Sequence, residues 1–209
     1  MNTDKPVLSK RLIVLPRWGG TPASDWYPWL RRELEAVRPR AFEPVTVADM
    51  PDPEVPTIPA WVERVKELIG PDPELAARTV LLGHSVGGQA LLRALAELPD
   101  STRISGVLCV AGWFWTDDPW DSLLPWINTP FDLGRARAAA GRQIMVLISN
   151  NDRITSNWQA TSHAWEERLG AAVVLVSGAS HFNGERYPVI LRTLLDHFAD
   201  RPSYSMAGA

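Results

Sequence analysis

Residues 79–95 decide the fold: Thr-Val-Leu-Leu-Gly-His-Ser-Val-Gly-Gly-Gln-Ala-Leu-Leu-Arg-Ala-Leu. The first four residues predict a buried strand, and the apolar residues from Val86 onward recur at helical spacing. Between them, Gly-His-Ser-Val-Gly matches G-x-S-x-G, a turn that raises a serine hydroxyl above the end of a strand. The glycines fit this turn, because a side chain two positions from Ser85 would collide with the neighbouring strand or helix. Only a histidine and an acid in suitable downstream positions would make the pattern diagnostic.

Apolar runs alternate with helical patterns along the rest of the chain, and Asp25 is placed to cap the first helix. Continuous Val/Ile/Leu runs are typical of parallel strands that are buried on both faces. The pattern therefore predicts a three-layer α/β sandwich, with helices on both faces of a six-stranded parallel sheet of order 2-1-3-4-5-6. The predicted strands are 11–16, 42–47, 79–82, 104–111, 143–149 and 172–176, and the helices are 26–37, 60–69, 86–98, 156–169 and 188–198.

Length and composition favour one soluble domain over residues 1–209, with an ordered core at about 11–198 and a flexible tail at 201–209. A net charge of −3 with interspersed signs gives no indication of a nucleic-acid or membrane partner. The single cysteine, Cys109, and the absence of a signal-peptide pattern favour a cytoplasmic protein. No cluster of metal ligands is visible, so we expect neither a metal nor an organic cofactor.

A serine nucleophile needs a base, and four histidines are available. His84 adjoins Ser85, so its side chain should point away from the side of the hydroxyl. His163 and His197 lie in predicted helices among polar residues, where a solvated surface histidine is expected. His181 follows the sixth strand, at the carboxyl edge where open α/β sheets place their ligands. We therefore predict that His181 is the base.

The acid should come from another strand end, and Asp152 follows the fifth strand. An aspartate in such a loop is also a common turn residue, which leaves Asp117 and Asp118 as alternatives. The chain order Ser85, Asp152, His181 is the one expected of an α/β-hydrolase. Placement of all three beyond strand ends predicts a catalytic triad.

Two backbone N–H groups are predicted to form the oxyanion hole. The first is that of Val86, at the start of the helix after Ser85. The second should come from the loop after the first strand, where we favour Trp18. The predicted strand order brings that loop opposite the serine turn, because the order reverses between strands one and three.

Tryptophan is unusually abundant, with ten in 209 residues. Four of them (Trp113, Trp115, Trp120 and Trp126) fall within fourteen residues of a segment at 112–132, between the fourth and fifth strands. One interpretation is a surface loop that is anchored by its aromatics. The other is a short lid in which Trp113 and Trp115 form an apolar wall of an acyl pocket.

The chain resembles the small serine hydrolases of the YdeN-like and retinoblastoma-binding-protein type, within the α/β-hydrolase superfamily. The resemblance spans roughly residues 11–198. It implies esterase-like activity on small acyl substrates without a metal or organic cofactor. The matching stretches are Asp-Trp-Tyr-Pro-Trp-Leu at 25–30, Asp-Met-Pro-Asp-Pro at 49–53, Gly-His-Ser-Val-Gly at 83–87, Ser-Asn-Asn-Asp at 149–152 and Gly-Ala-Ser-His-Phe-Asn at 178–183.

The chain departs from this family at three points. Arg17 stands where relatives usually carry glycine, so it should either crowd the oxyanion loop or place a cation at the pocket mouth. Arg153 follows the acid where proline is common, which predicts a less rigid acid loop. The L-x-C-x-E motif of retinoblastoma binding is absent, so that partner is not expected.

The leading prediction is a cofactor-independent serine hydrolase that cleaves a carboxylic ester or related acyl bond of a small, apolar substrate. Acyl transfer to an alcohol or amine uses the same residues and stays open. A third alternative is an interaction protein that keeps the fold with vestigial catalysis, although the intact triad positions argue against it.

Overall fold

The computed structural model describes residues 9–200 and the backbone of a short strand at Ser205–Met206. Six parallel strands form one sheet of order β3-β1-β4-β5-β6-β7. When the two-residue strand β2 (Val37–Arg38) is set aside, this is the predicted order 2-1-3-4-5-6, so the fold prediction is confirmed. The sheet strands are β1 (Lys10–Leu15), β3 (Phe42–Val47), β4 (Thr79–His84), β5 (Gly106–Val110), β6 (Ile144–Ser149) and β7 (Ala172–Val176).

Five of the helices match the predicted segments to within about two residues at either end. These are α1 (Tyr27–Ala36), α2 (Ile58–Ile69), α4 (Val86–Glu97), α7 (Trp158–Leu169) and α8 (Pro188–His197). Three further helices were not predicted, because a segment of five to seven residues is too short to show a helical period. They are α3 (Pro73–Ala77), α5 (Leu124–Asn128) and α6 (Leu133–Ala139).

Alternate residues of the strands enter two hydrophobic cores, one on each face of the sheet. The first face buries Ile13 and Leu81 among residues of α2, α4 and α7. The second buries Leu12 and Val80 among residues of α1 and α8. This alternation confirms the predicted three layers, because successive strand side chains point to opposite faces.

Most of the predicted flexible tail, 201–209, lies outside the described residues. Within it, Ser205–Met206 forms strand β8, which pairs antiparallel with β2. In the described part of the chain, no helix has both the length and the apolar character needed to cross a membrane.

Asp25 does not cap α1, contrary to the prediction, and the helix begins without a side-chain cap. Its carboxylate instead accepts two hydrogen bonds from the guanidinium of Arg17, at 2.7 Å from Nε and 3.1 Å from Nη2. A bidentate, charge-assisted pair is stronger than a neutral cap, so the ion pair determines the position of this carboxylate.

The turn from β4 to α4 leaves no room for side chains at its two outer glycines. A Cβ on Gly83 would lie 2.6 Å from the backbone nitrogen of Gly88. A Cβ on Gly87 would lie 2.6 Å from the carbonyl oxygen of Pro16. Real Cβ atoms do not approach backbone so closely, so glycine is required on both sides of the turn.

We predict that Gly83→Ala lowers the free energy of unfolding by about 1–3 kcal/mol or more, because α4 must move away from β4. Urea denaturation measures the loss. Gly88→Ala is the matched control, since its Cβ would meet Cys109 Sγ at 3.4 Å and the carbonyl oxygen of Gly83 at 3.7 Å, both ordinary contacts. It should stay within about 1 kcal/mol of wild type, because alanine also favours the helix. Equal losses in the two variants would contradict this account.

Candidate active site

Ser85 lies in the sharp turn between β4 and α4, at the carboxyl edge of the sheet. Its backbone has φ 53° and ψ −119°, a conformation that residues with a Cβ rarely adopt. A hydrogen bond to the neighbouring strand β5 stabilises the turn: the N–H of Ser85 donates to the carbonyl of Val110 at 2.9 Å. Residue Ser85 is only 8% exposed.

The structure brings together the three residues predicted for the triad. Ser85 Oγ lies 2.9 Å from His181 Nε2, and His181 Nδ1 lies 2.8 Å from Asp152 Oδ2. The other carboxylate oxygen of Asp152 accepts the N–H of Ile154 at 2.8 Å. Asp152 is 3% exposed, so this carboxylate is shielded from water and has a fixed orientation. The geometry allows proton transfer from the serine hydroxyl to the imidazole.

The alternative residues lie elsewhere. His163 and His197 are exposed on helices, as expected. Asp117 is exposed, and hydrogen bonds from the side chain of Ser156 and from its N–H, the latter at 2.8 Å, lower the pKa of the Asp117 carboxyl. Among the described residues, no group of three or more His, Cys, Asp or Glu side chains is arranged to hold a metal ion.

His84 points to the α1 face of the sheet, away from the serine hydroxyl. Its Nδ1 lies 2.7 Å from the hydroxyl of Tyr27, and its Nε2 lies 2.9 Å from the carbonyl oxygen of His181. The imidazole is fully buried. Burial, reinforced by the neighbouring His181, holds the pKa of His84 well below its ordinary value. His84 is therefore a neutral ring.

The two asparagines before the acid hold the histidine loop against the acid loop. Asn150 Oδ1 accepts the N–H of Gly178 at 2.9 Å, and Asn151 Oδ1 accepts the N–H of Ser180 at 2.8 Å. The sequence analysis gave neither asparagine a role. The signal was available, because consecutive amides before a strand-end acid can satisfy backbone N–H groups of an adjacent loop. The lower rigidity expected of the acid loop at Arg153 stays a prediction.

Two backbone N–H groups, those of Val86 and Trp18, were predicted to form the oxyanion hole. Val86 is the first residue of α4, where the N–H has no carbonyl one turn back. In the loop after β1, Arg17 donates its N–H to the hydroxyl of Tyr27, and Gly19 donates to the carbonyl of Pro53. By contrast, no acceptor for the N–H of Trp18 lies within residues 9–200. Trp18 and Val86 both line the cavity above the serine.

Arg17 was expected either to crowd the oxyanion loop or to place a cation at the pocket mouth. Its side chain lines the cavity but is bound to Asp25, and its Nη1 also donates to the carbonyl of Trp18 at 2.8 Å. Burial alone would lower the pKa of Arg17, but the pair with Asp25 raises it. Asp25 thus neutralises the charge of the guanidinium, and the bond to the carbonyl of Trp18 stabilises the loop after β1.

A cavity of about 220 Å³ opens directly above Ser85 and His181. Trp113 forms one wall, is 2% exposed, and its Nε1 donates to Ser85 Oγ at 3.3 Å. Trp120 stands at the mouth, 43% exposed, with its ring edge-on to Trp18 at 5.1 Å. The remaining lining residues are Arg17, Val86, Thr116, Leu123, Ile154 and Asn183.

Trp115, the second predicted pocket residue, does not line this cavity. Its ring lies 5.9 Å from the guanidinium of Arg168, on α7. A half-buried indole gains from a cation on its face, and this contact draws the ring away from the site. Trp120, which the prediction left out, lines the cavity instead.

The end of the tryptophan-rich segment is anchored to the nucleophile helix. Arg93 on α4 is buried, and its guanidinium donates to the carbonyls of Trp126 and Thr129 at 2.6 and 2.8 Å. It also lies 4.3 Å from the ring centroid of Phe131. Burial without a carboxylate partner lowers the pKa of Arg93 to about 10. The segment is thereby packed onto the body of the protein at this end.

Comparisons with known proteins identify relatives of this chain. The model of a family described as serine hydrolase matches residues 12–187. The YdeN protein of Bacillus subtilis strain 168 is 22% identical over 196 residues, which cover 92% of this chain and 98% of YdeN.

Solved structures share the fold. The crystal structure of the Bacillus subtilis ydeN product has a TM-score of 0.77 at 23% identity and covers 91% of this chain and 99% of its own. A YdeN-like protein of Pectobacterium atrosepticum has a TM-score of 0.60 at 18% identity, with 90% of each chain covered. Est1E of Butyrivibrio proteoclasticus, also solved with bound ferulic acid, has a TM-score of 0.62 at 14% identity and covers 91% and 87%.

We predict that the lowered pKa of His84 makes the protein sensitive to mild acid. The unfolded chain binds this proton near pH 6.5 and the folded protein does not, so protonation favours unfolding. Stability should be full above about pH 6.5 and fall toward lower pH, by at most about 1.4 kcal/mol per pH unit from this group. His84→Gln removes the titration, and its unfolding free energy should have a shallower slope between pH 7 and 5. Identical slopes in urea denaturation would contradict the prediction.

Proposed function

The chain belongs to the serine hydrolase family that its residues 12–187 match, and we propose that it is a carboxylesterase acting through Ser85, His181 and Asp152. One observation carries the proposal: an unbroken hydrogen-bond chain, with steps of 2.9 and 2.8 Å, from the serine hydroxyl at the cavity through His181 to a buried carboxylate. A chain of this kind supplies the nucleophile, its base and the group that fixes the tautomer of the base.

In the proposed mechanism, Ser85 Oγ attacks the ester carbonyl carbon while His181 Nε2 takes the hydroxyl proton. Asp152 accepts the Nδ1–H of His181, which presents the Nε2 lone pair to the serine and stabilises the imidazolium that forms. The imidazolium then returns its proton to the departing alkoxide, and an acyl-serine remains. Water, deprotonated by His181, releases the carboxylic acid and restores the serine.

The negative charge of each tetrahedral intermediate would be held by the N–H groups of Val86 and Trp18. Both residues line the cavity, and the N–H of Val86 also lies at the positive end of the α4 dipole. Loss of one such donor typically costs about 3 kcal/mol of transition-state stabilisation. This makes the oxyanion hole a main source of rate acceleration in the proposed mechanism.

The cavity favours a compact, apolar acyl group. Trp113, Trp120, Leu123 and Ile154 give it mostly apolar walls, and its volume is about 220 Å³. Among the residues that the structure describes, Arg17 is the one arginine that lines the cavity, and its charge is neutralised by Asp25. A charged acyl group would therefore lose hydration without gaining a partner. We propose esters of short aliphatic or small aromatic acids as the substrate class.

The proposal is tested with p-nitrophenyl butyrate and a fluorophosphonate probe. We expect wild type to hydrolyse the ester and to be labelled at Ser85, with Ser85→Ala as the blank. Asp152→Asn should lower kcat by about 10³-fold to 10⁴-fold, because an amide favours the wrong tautomer of His181. Asp117→Asn is the matched control and should retain activity, since that carboxylate is exposed and its hydrogen bonds come from Ser156, outside the triad.

Two results would overturn the triad assignment. One is a nearly silent Asp152→Asn, and the other is an inactive Asp117→Asn that is still folded. Wild-type protein that neither labels nor hydrolyses any ester would refute the esterase proposal itself.

Trp120 should determine the preference for acyl length. Trp120→Ala removes a cavity wall, so kcat/KM for hexanoate should fall about tenfold relative to acetate, as expected when apolar contact area is lost. Its stability should change little, because the side chain is 43% exposed. Trp115→Ala deletes the same volume away from the cavity and should leave the ratio of rates unchanged. An unchanged ratio in Trp120→Ala would place the acyl group elsewhere.

A further inference from the structure

A continuous hydrogen-bond chain runs beneath the serine turn and joins two loops that are far apart in sequence. The N–H of Arg17, in the loop after β1, donates to the hydroxyl of Tyr27 at 3.0 Å. That hydroxyl lies 2.7 Å from His84 Nδ1. On the other side of the ring, His84 Nε2 lies 2.9 Å from the carbonyl oxygen of His181. We refer to Tyr27 and His84 as the relay pair.

Only one arrangement of protons satisfies every member of this chain. A backbone N–H can only donate and a carbonyl can only accept, so both ends are fixed. The hydroxyl of Tyr27 accepts from Arg17 and must donate its own proton to His84 Nδ1. His84 must then carry its proton on Nε2 and donate it to the carbonyl of His181. Burial favours these neutral forms, because it raises the pKa of Tyr27 and lowers that of His84.

The loop that carries His181 needs such support. Ser180 and Phe182, its immediate neighbours, have φ 52° and 56°, in the left-handed region that residues with a Cβ avoid. Two buried rings hold the carbonyls of this strained turn. His84 donates to the carbonyl of His181, and the Nε1 of Trp26 donates to that of Phe182 at 2.9 Å. The place of the His181 backbone, and hence of its ring, depends on these donors.

We propose that Tyr27 and His84 are positioning residues that couple the oxyanion loop to the loop of the base. The inference rests on the proposed function for the roles of His181 and Trp18. At one end, the relay pair holds Arg17, whose neighbour Trp18 offers the second oxyanion N–H. At the other end, it holds His181. This single hydrogen-bond chain therefore determines both the distance from Ser85 to its base and the distance from Ser85 to an oxyanion donor.

The decisive variant is Tyr27→Phe, which keeps the ring and removes only the hydroxyl. It leaves the N–H of Arg17 and the Nδ1 of His84 without their shared partner. We expect kcat to fall about 10-fold to 100-fold, because small misplacements of catalytic groups are costly. KM should stay within about twofold, since the relay pair does not line the cavity.

Tyr187→Phe is the matched control. Its hydroxyl also ties down the histidine loop, by accepting the N–H of Gly184 at 3.0 Å and donating to the carbonyl of Ala179 at 3.2 Å. Neither of these two hydrogen bonds involves the oxyanion loop. We expect this variant to lose comparable stability but to keep kcat within about threefold. Two results would overturn the proposed coupling. One is an active wild type whose kcat is unchanged in Tyr27→Phe, and the other is an equal fall of kcat in Tyr27→Phe and Tyr187→Phe.

The tautomer of His84 gives a readout that does not depend on turnover. Nitrogen-15 NMR of the imidazole should show a ring protonated on Nε2 that is neutral at pH 7 and stays neutral as the pH falls below its ordinary pKa of about 6.5. In Tyr27→Phe the Nδ1 shift should move, because the hydroxyl donor is gone. A ring protonated on Nδ1 would refute the relay even in a fully active enzyme. If wild type shows the expected tautomer but hydrolyses no ester, the esterase proposal fails and the relay geometry stands.

Discussion

The site depends on the backbone strain at Ser85, which has φ 53° and ψ −119°. This conformation survives because its surroundings allow no alternative. Gly83 and Gly87 let β4, α4 and the end of β1 approach more closely than any side chain would permit, and Val110 holds the amide of Ser85. The result is a hydroxyl that points off the sheet edge above the free N–H groups of a helix. The other groups of the site are arranged around that fixed point.

The order of the strands determines which loops can reach it. β6 and β7 are neighbours, so the loops carrying Asp152 and His181 lie side by side. The side-chain oxygens of Asn150 and Asn151 fasten one loop to the other. β1 and β4 are also neighbours, and this places Trp18 opposite Ser85 at the point where the strand order reverses. The topology alone thus explains why residues from four loops converge.

Sheet order and the positions of the triad residues could be predicted, because both depend on local signals. Apolar runs mark the strands, and polar residues just after them mark the carboxyl edge. The failures involve long-range competition between partners. The local sequence predicts that Asp25 caps a helix, but the guanidinium of Arg17 offers this carboxylate two charged donors. The local sequence predicts that Trp115 lines the pocket, but its ring instead lies against the guanidinium of Arg168, on a helix distant in sequence. A local sequence pattern does not indicate which of two possible partners a side chain will bind.

The abundance of tryptophan has a physical explanation that the sequence analysis did not reach. The loop at 49–57 contains three prolines, which have no N–H, and its own N–H groups satisfy one of its carbonyls, that of Asp52. Indole N–H groups meet part of this need, because a buried indole is a large apolar group with one donor. Three of them reach this loop: Trp18 to the carbonyl of Glu54, Trp61 to that of Pro51 and Trp126 to that of Pro56.

The same three indoles come from the oxyanion loop, from α2 and from the tryptophan-rich segment. The proline-rich loop is therefore the common support of two elements that border the cavity. Elsewhere, Trp26 and Trp165 donate to the carbonyls of Phe182 and Gly112 in the same way. Tryptophan in this protein does more than fill the core: its N–H fastens irregular backbone around the site, where no strand or helix could supply the donor.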